Sequence, residues 1–194
     1  MRIQLLALGT MAIALAGEAA LSVQLVQKDL GANLSYLEFS KFEAMRMFSS
    51  AGLQIEWCWS PKKCRDWDGR IIVTLLPAAP ALSSQSALAE AQLFEGRNIR
   101  VFMDRINQLS GDNPGLRRRV LAHVFAHEIM HMLQGCDCHS SSGVMSAHWS
   151  LRDIAEMGFG PLPFDLANIE LMRDGLVKRK KFLSAVTVFR NEQR

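Results

Sequence analysis

The sequence lacks any strong excess of charge. Lys and Arg number 22 against 19 Asp and Glu, a formal net charge of +3 spread along 194 residues. Such a weak, diffuse balance argues against nucleic acid as a partner. Beyond the first 20 residues there is no apolar run long enough to cross a bilayer, so no stable membrane span is expected in the rest of the chain. Internal repeats and Pro/Gly/Ser-rich interdomain linkers are also missing. The length suits one domain with a real core and is short for two. Hydrophobic residues at 49% and charged residues at 21% are ordinary globular values.

The N-terminal stretch MRIQLLALGTMAIALAGEAA stands apart. It has one early cation, Arg2, an uncharged run from Ile3 to Gly17, and small residues at its end. This is the layout of a secretory signal, with small-x-small exits at Ala14-Leu15-Ala16 and Gly17-Glu18-Ala19. Residues 1–20 are therefore expected to be a signal peptide cleaved near 16–20, and residues 21–194 a single domain exported to the periplasm or secreted. The alternative is an uncleaved N-terminus that tethers the chain to the membrane.

Cysteines are few: Cys58, Cys64, Cys136 and Cys138. An even count in an exported chain suggests disulfides. Cys58 and Cys64 bracket a polar Pro-containing turn and can pair across it. Cys136 and Cys138 are two apart, a spacing read here as poor for a mutual bridge and as a possible pair of soft zinc ligands.

Periodicity gives the elements. Leu21, Val23 and Leu25 alternate with Ser22 and Gln24 as in a half-buried strand, and a helix is expected over 34–51 with Gly52 as its stop. A second strand alternates through Leu53, Ile55, Trp57 and Trp59. The run Ile71 to Leu76 reads as a central strand buried on both faces. Leu88 to Met103 reads as a hairpin turning at Glu95-Gly96-Arg97-Asn98. Asp112-Asn113-Pro114 starts a helix that runs from about Gly115 to Leu133 and ends near Gly135, and a last helix is expected over 164–181. The fold class is α+β.

The long helix carries His127-Glu128-Ile129-Met130-His131, an H-E-x-x-H motif. Residues i and i+4 share a helix face, so His127 and His131 can aim imidazole nitrogens at one ion. Glu128 points about 100° away, where it can reach a metal-bound water without ligating the metal. His123 extends the row by one turn. Three ligands at one-turn steps along a straight helix are too far apart for bonds near 2.1 Å, so His123 is read as a core or orienting residue. A catalytic zinc usually takes three protein ligands and a water, so a third must come from beyond Gly135. Asp137, His139 and the two cysteines are candidates.

The stretch AHEIMHMLQGCDCHSSSGVMS resembles the metzincin clan of zinc metallopeptidases, in which H-E-x-x-H, a glycine turn and a third ligand precede a methionine-containing turn. Within it the sequence is similar to a group of uncharacterised, mostly bacterial exported proteins with an HEIGHxLLGxxxHSxxGIM-type pattern. Met130 departs from the glycine of that pattern, and Cys136 and Cys138 are further departures. The resemblance implies a zincin-like fold, with a small twisted mixed sheet, an active-site helix and a C-terminal helix. It implies zinc held by His127, His131 and His139, with Asp137 the alternative third ligand, Glu128 as the catalytic base, and Met145 in the methionine turn. It also implies a peptide or protein substrate, cleaved as by an endopeptidase. A non-catalytic zinc-binding envelope protein on a degenerate peptidase scaffold is the alternative.

Overall fold

The computed structural model describes residues 20–28, 35–64 and 69–192. All but the last residue of the expected signal peptide lie outside the described residues. The elements in chain order are β1 (Leu21–Gln27), α1 (Ser35–Ser50), β2 (Ile55–Cys58), β3 (Ile71–Leu76), β4 (Ala89–Gln92), β5 (Asn98–Phe102), α2 (Met103–Ser110), α3 (Pro114–Gln134), α4 (Leu151–Met157) and α5 (Leu166–Glu192). Short 3-10 turns occupy Pro61–Lys63 and Leu93–Glu95.

One five-stranded mixed sheet has the order β2-β1-β3-β5-β4. All neighbours are parallel except β4, which pairs antiparallel with β5 and leaves its other edge open. Val23, Leu25, Ile71, Val73, Leu75, Ile99 and Val101 join residues of α1 and α3 in a single core. Full burial of such a side chain contributes about 1.5–3 kcal/mol relative to exposure.

The expected characters of the first and third strands are exchanged. β3 alternates buried Ile71, Val73 and Leu75 with half-buried Ile72, Thr74 and Leu76, so its apolar run has one covered face. β1, read as half-buried, is buried at Ser22 and Gln24 as well as at Val23 and Leu25. Both faces of β1 are covered there, and the Gln24 carboxamide oxygen accepts from Arg70 Nε at 2.8 Å. The hairpin pairs Ala89 with Val101 and Gln92 with Asn98. Met103 does not end a strand but begins α2, which buries Met103, Ile106 and Ser110. Eight residues with three buried positions give too weak a periodic signal to see in the sequence.

α3 follows its predicted capping. Asn113 accepts from the Leu116 N–H at 2.9 Å, Pro114 opens the first turn, and Gly135 closes the helix in the left-handed region at φ 71°. From Val120 to Gln134 every residue is buried except His127. A helix covered all round is the central layer of a domain, and His127 marks where it opens to solvent. At its start, Arg118 and Arg119 stack over Phe39 of α1 with guanidinium carbons 4.1 and 5.6 Å from the ring centre. α5 outruns its expected end because no glycine or proline interrupts it after Gly175. No helix among the described residues is long and apolar enough to cross a membrane.

Candidate metal centre

α3 places His127 and His131 one turn apart with ring centres 4.6 Å from each other. The chain turns at Gly135, and His139 arrives with its ring centre 4.8 Å from that of His131 and 5.3 Å from that of His127. One nitrogen from each ring forms a group whose members lie within 4.8 Å of one another.

Hydrogen bonds aim two of the rings. His127 Nδ1 lies 2.8 Å from the Val144 carbonyl oxygen, and His131 Nδ1 lies 3.0 Å from that of Cys136. A carbonyl oxygen only accepts, so both Nδ1 atoms carry the proton and donate. Each neutral ring then has a bare lone pair on Nε2. Those two Nε2 atoms stand 2.9 Å apart. Neither has a proton to share, so the pair needs a cation between or beside them. Burial lowers the basicity of both rings, His127 to about 4, with the neighbouring histidines acting in the same direction. A proton is therefore disfavoured there at neutral pH, whereas a soft-to-borderline divalent metal suits three imidazoles.

Glu128 is buried beside this group, and its carboxylate accepts from the Ala91 N–H of β4. Burial pushes its carboxyl up to about 8, partly opposed by that hydrogen bond.

His123, one turn before His127, has both nitrogens committed. Nδ1 donates to the Arg119 carbonyl at 2.7 Å, and Nε2 accepts from the Leu162 N–H at 3.0 Å. It is thus a clamp, as its spacing predicts, and the clamp leads to the metal group. The residue after Leu162, Pro163, accepts from the Val144 N–H at 3.0 Å, and Val144 in turn accepts from His127. Gly143 sits at φ 79° under Pro163, where an added Cβ would lie 2.4 Å from the Pro163 oxygen. Only glycine fits that approach. This chain of contacts was not visible in the sequence, because it joins residues 17 to 39 positions apart.

Met145 is fully buried next to Val144, and its carbonyl accepts from the Ser140 N–H at 2.8 Å, closing the turn that follows His139. Trp149 stands edge-on to both His123 and His127, at 6.0 and 5.7 Å between ring centres. His148 is exposed on the same side.

The cysteines correct one reading. Cys58 and Cys64 are bridged across their turn, as their spacing allows. Cys136 and Cys138 are bridged too, with Cα atoms 5.2 Å apart, and so are not a free ligand pair. The expectation of poor geometry treated the pair as regular backbone. After Gly135 the chain bends, and 5.2 Å falls within the normal disulfide range. Asp137, between them, is 81% exposed, with Oδ1 3.8 Å from His131 Nε2 and 3.8 Å from His139 Nδ1.

The histidines, Glu128 and Trp149 open onto a cleft of about 1290 Å³. β4 forms one wall, with Leu93, Phe94 and Leu109 beyond it.

No protein-family model and no curated protein matches the sequence. Among solved structures, the fold is similar to that of archaemetzincin from Methanopyrus kandleri. The TM-score is 0.56 at 16% identity, and the match covers 81% of this chain and 96% of that one. At that identity the likeness is one of fold, and the chain is a mixed α/β domain of archaemetzincin-like architecture with a three-histidine group at its cleft.

Proposed function

We propose that the protein is a zinc-dependent endopeptidase. The observation that carries the reading is the pair of Nε2 lone pairs facing each other at 2.9 Å, with both Nδ1 protons donated elsewhere and a third imidazole alongside. His127, His131 and His139 hold the metal, and three neutral ligands leave it dicationic. Bound zinc supplies a Lewis acid that polarises a carbonyl and makes water acidic near pH 7.

The chain's own residues do the rest. Glu128, set one residue after His127 and fixed by the Ala91 N–H, takes a proton from water and returns it to the leaving amine nitrogen. Burial makes its carboxylate a stronger base than an ordinary glutamate, with a proton affinity near neutral pH that suits a group that must both accept and give a proton, and a nearby dication favours the carboxylate form. Val144 and Cys136 hold the ring tautomers that leave Nε2 free for metal. Met145 lies in the buried turn behind the ligands. β4 is an edge strand on the cleft, so an extended peptide can align along it by strand addition.

The two disulfides suit an oxidising compartment, which supports reading the chain as exported. With both cysteines of the 136–138 pair bridged, a closed zinc site with thiolate ligands has no support in this state.

Purified protein is expected to hold one zinc per chain and to cleave members of a mixed peptide library. Cleavage should stop on chelation and return with zinc. Zinc binding without any cleavage would leave only the non-catalytic reading, and a chain that binds no zinc would remove both.

A further inference from the structure

Asp137 and His139 compete for one position. They stand six and eight residues after His131, and Asp137 Oδ1 reaches within 3.8 Å of both His131 Nε2 and His139 Nδ1. Yet the convergent nitrogen group uses His139, and Asp137 stays at the rim with four-fifths of its side chain exposed. Between the end of α3 and His139 lies Cys136-Asp137-Cys138, closed on itself by the disulfide. Its Cα atoms are 5.2 Å apart, where two extended residues would span about 6.6–7.2 Å. The bridge shortens the path from α3 to His139 and turns the Asp137 segment into a small closed loop. It also fixes Cys136, whose carbonyl aims His131.

We propose that the Cys136–Cys138 disulfide is a positioning element that selects His139 over Asp137 as the third metal ligand, so that its reduction exchanges the ligand set. This rests on the zinc site proposed above. The reductant is a dithiol. It delivers two electrons and two protons, the Cys136–Cys138 S–S bond breaks to two thiols, and the reductant leaves as its own disulfide. The opened loop gains length and His139 loses its fixed approach. The Asp137 carboxylate, already at the rim, moves in. A carboxylate in place of an imidazole lowers the charge of the site by one, so its water is less acidic and the reduced protein less active.

The test measures zinc affinity of the full chain by chelator competition, and the absorption of its Co2+ form. It compares the oxidised protein with Cys136→Ser/Cys138→Ser, which keeps the Cys58–Cys64 bridge. In the oxidised protein, His139→Ala is expected to weaken zinc binding at least about tenfold, and Asp137→Ala to leave it unchanged. In the double-serine background the two swap: Asp137→Ala costs at least about tenfold and His139→Ala little. His139→Ala and Asp137→Ala with the native cysteines, reduced with a phosphine beside reduced wild type, give the same comparison should the double-serine background fail to fold. There water supplies two protons and the oxygen of the phosphine oxide, and Cys58→Ser/Cys64→Ser controls for the other bridge. Dependence on His139 that persists unchanged without the bridge overturns the proposal. A sulfur-to-cobalt charge-transfer band on reduction also overturns it, because the thiols would then be the ligands. Absence of zinc from every form, the oxidised included, overturns the zinc site itself.

Discussion

Two regions build the candidate metal centre by different means. The first is α3, a 21-residue helix whose buried stretch from Val120 to Gln134 places His127, Glu128 and His131 by helix periodicity. The second is the segment from Gly135 to Trp149, which has no helix or strand of its own and brings His139, Met145 and the Val144 carbonyl. In α3 the geometry comes from the backbone repeat, and the surrounding core holds it. In the loop each position depends on a specific tie: the Cys136–Cys138 bridge, the Ser140–Met145 and Val144–Pro163 hydrogen bonds, and Gly143 under Pro163. Within α3 itself, His123 and His127 make the same contrast at one-turn separation. Both give Nδ1 to a carbonyl, but His123 spends Nε2 on Leu162 and His127 keeps it for the metal group.

The sharpest way to separate the helix's two roles is Glu128→Gln. The variant should keep its zinc and lose about 10²- to 10⁴-fold in peptide turnover. Turnover close to wild type would take Glu128 out of the chemistry. His127→Ala should weaken zinc binding by more than about a hundredfold, the upper end for losing a residue that only supports a ligand. A smaller loss would mean the helix face does not hold the ion.

Acid should test the buried clamp at His123. Burial holds His123 neutral, at about 4 against 6.5 when unfolded. The unfolded chain therefore binds the extra proton between those values. Stability fully present above 6.5 is lost as pH falls towards 4, by up to about 3 kcal/mol. Urea midpoints at pH 7.5 and 4.5 check this, and His123→Gln, which can both donate and accept, should lose less on acidification. Equal losses would show that His123 is not a buried neutral clamp. The smallest effect concerns the far side of α3. A Cβ on Gly175 would lie 1.7 Å from the Leu133 oxygen, so Gly175→Ala must push α5 away, at about 1–3 kcal/mol in thermal unfolding. Gly160→Ala, with nothing within 4 Å, should stay within about 0.5 kcal/mol.

Residues whose roles depend on local period were legible. The cap at Asn113, the stop at Gly135 and the hairpin across Gly96 follow from rules that act within a few residues. Elements that are short, such as α2 and α4, carried too few periodic positions to stand out. The exchange of character between β1 and β3 was also hidden. An alternating strand and an apolar run describe side chains, whereas burial depends on neighbours in the sheet and on layers from distant segments.

By itself the sequence determined that one helix carries two imidazoles and a carboxyl at the spacing a metal needs, because i and i+4 meet on any helix. It left four candidates for the third ligand, His139, Asp137, Cys136 and Cys138. The tertiary structure brought His139 to the group, closed Cys136 on Cys138, and fixed the tautomers through Val144 and Cys136. Those outcomes depend on where a loop without regular structure is tied, and the ties come from residues far along the chain.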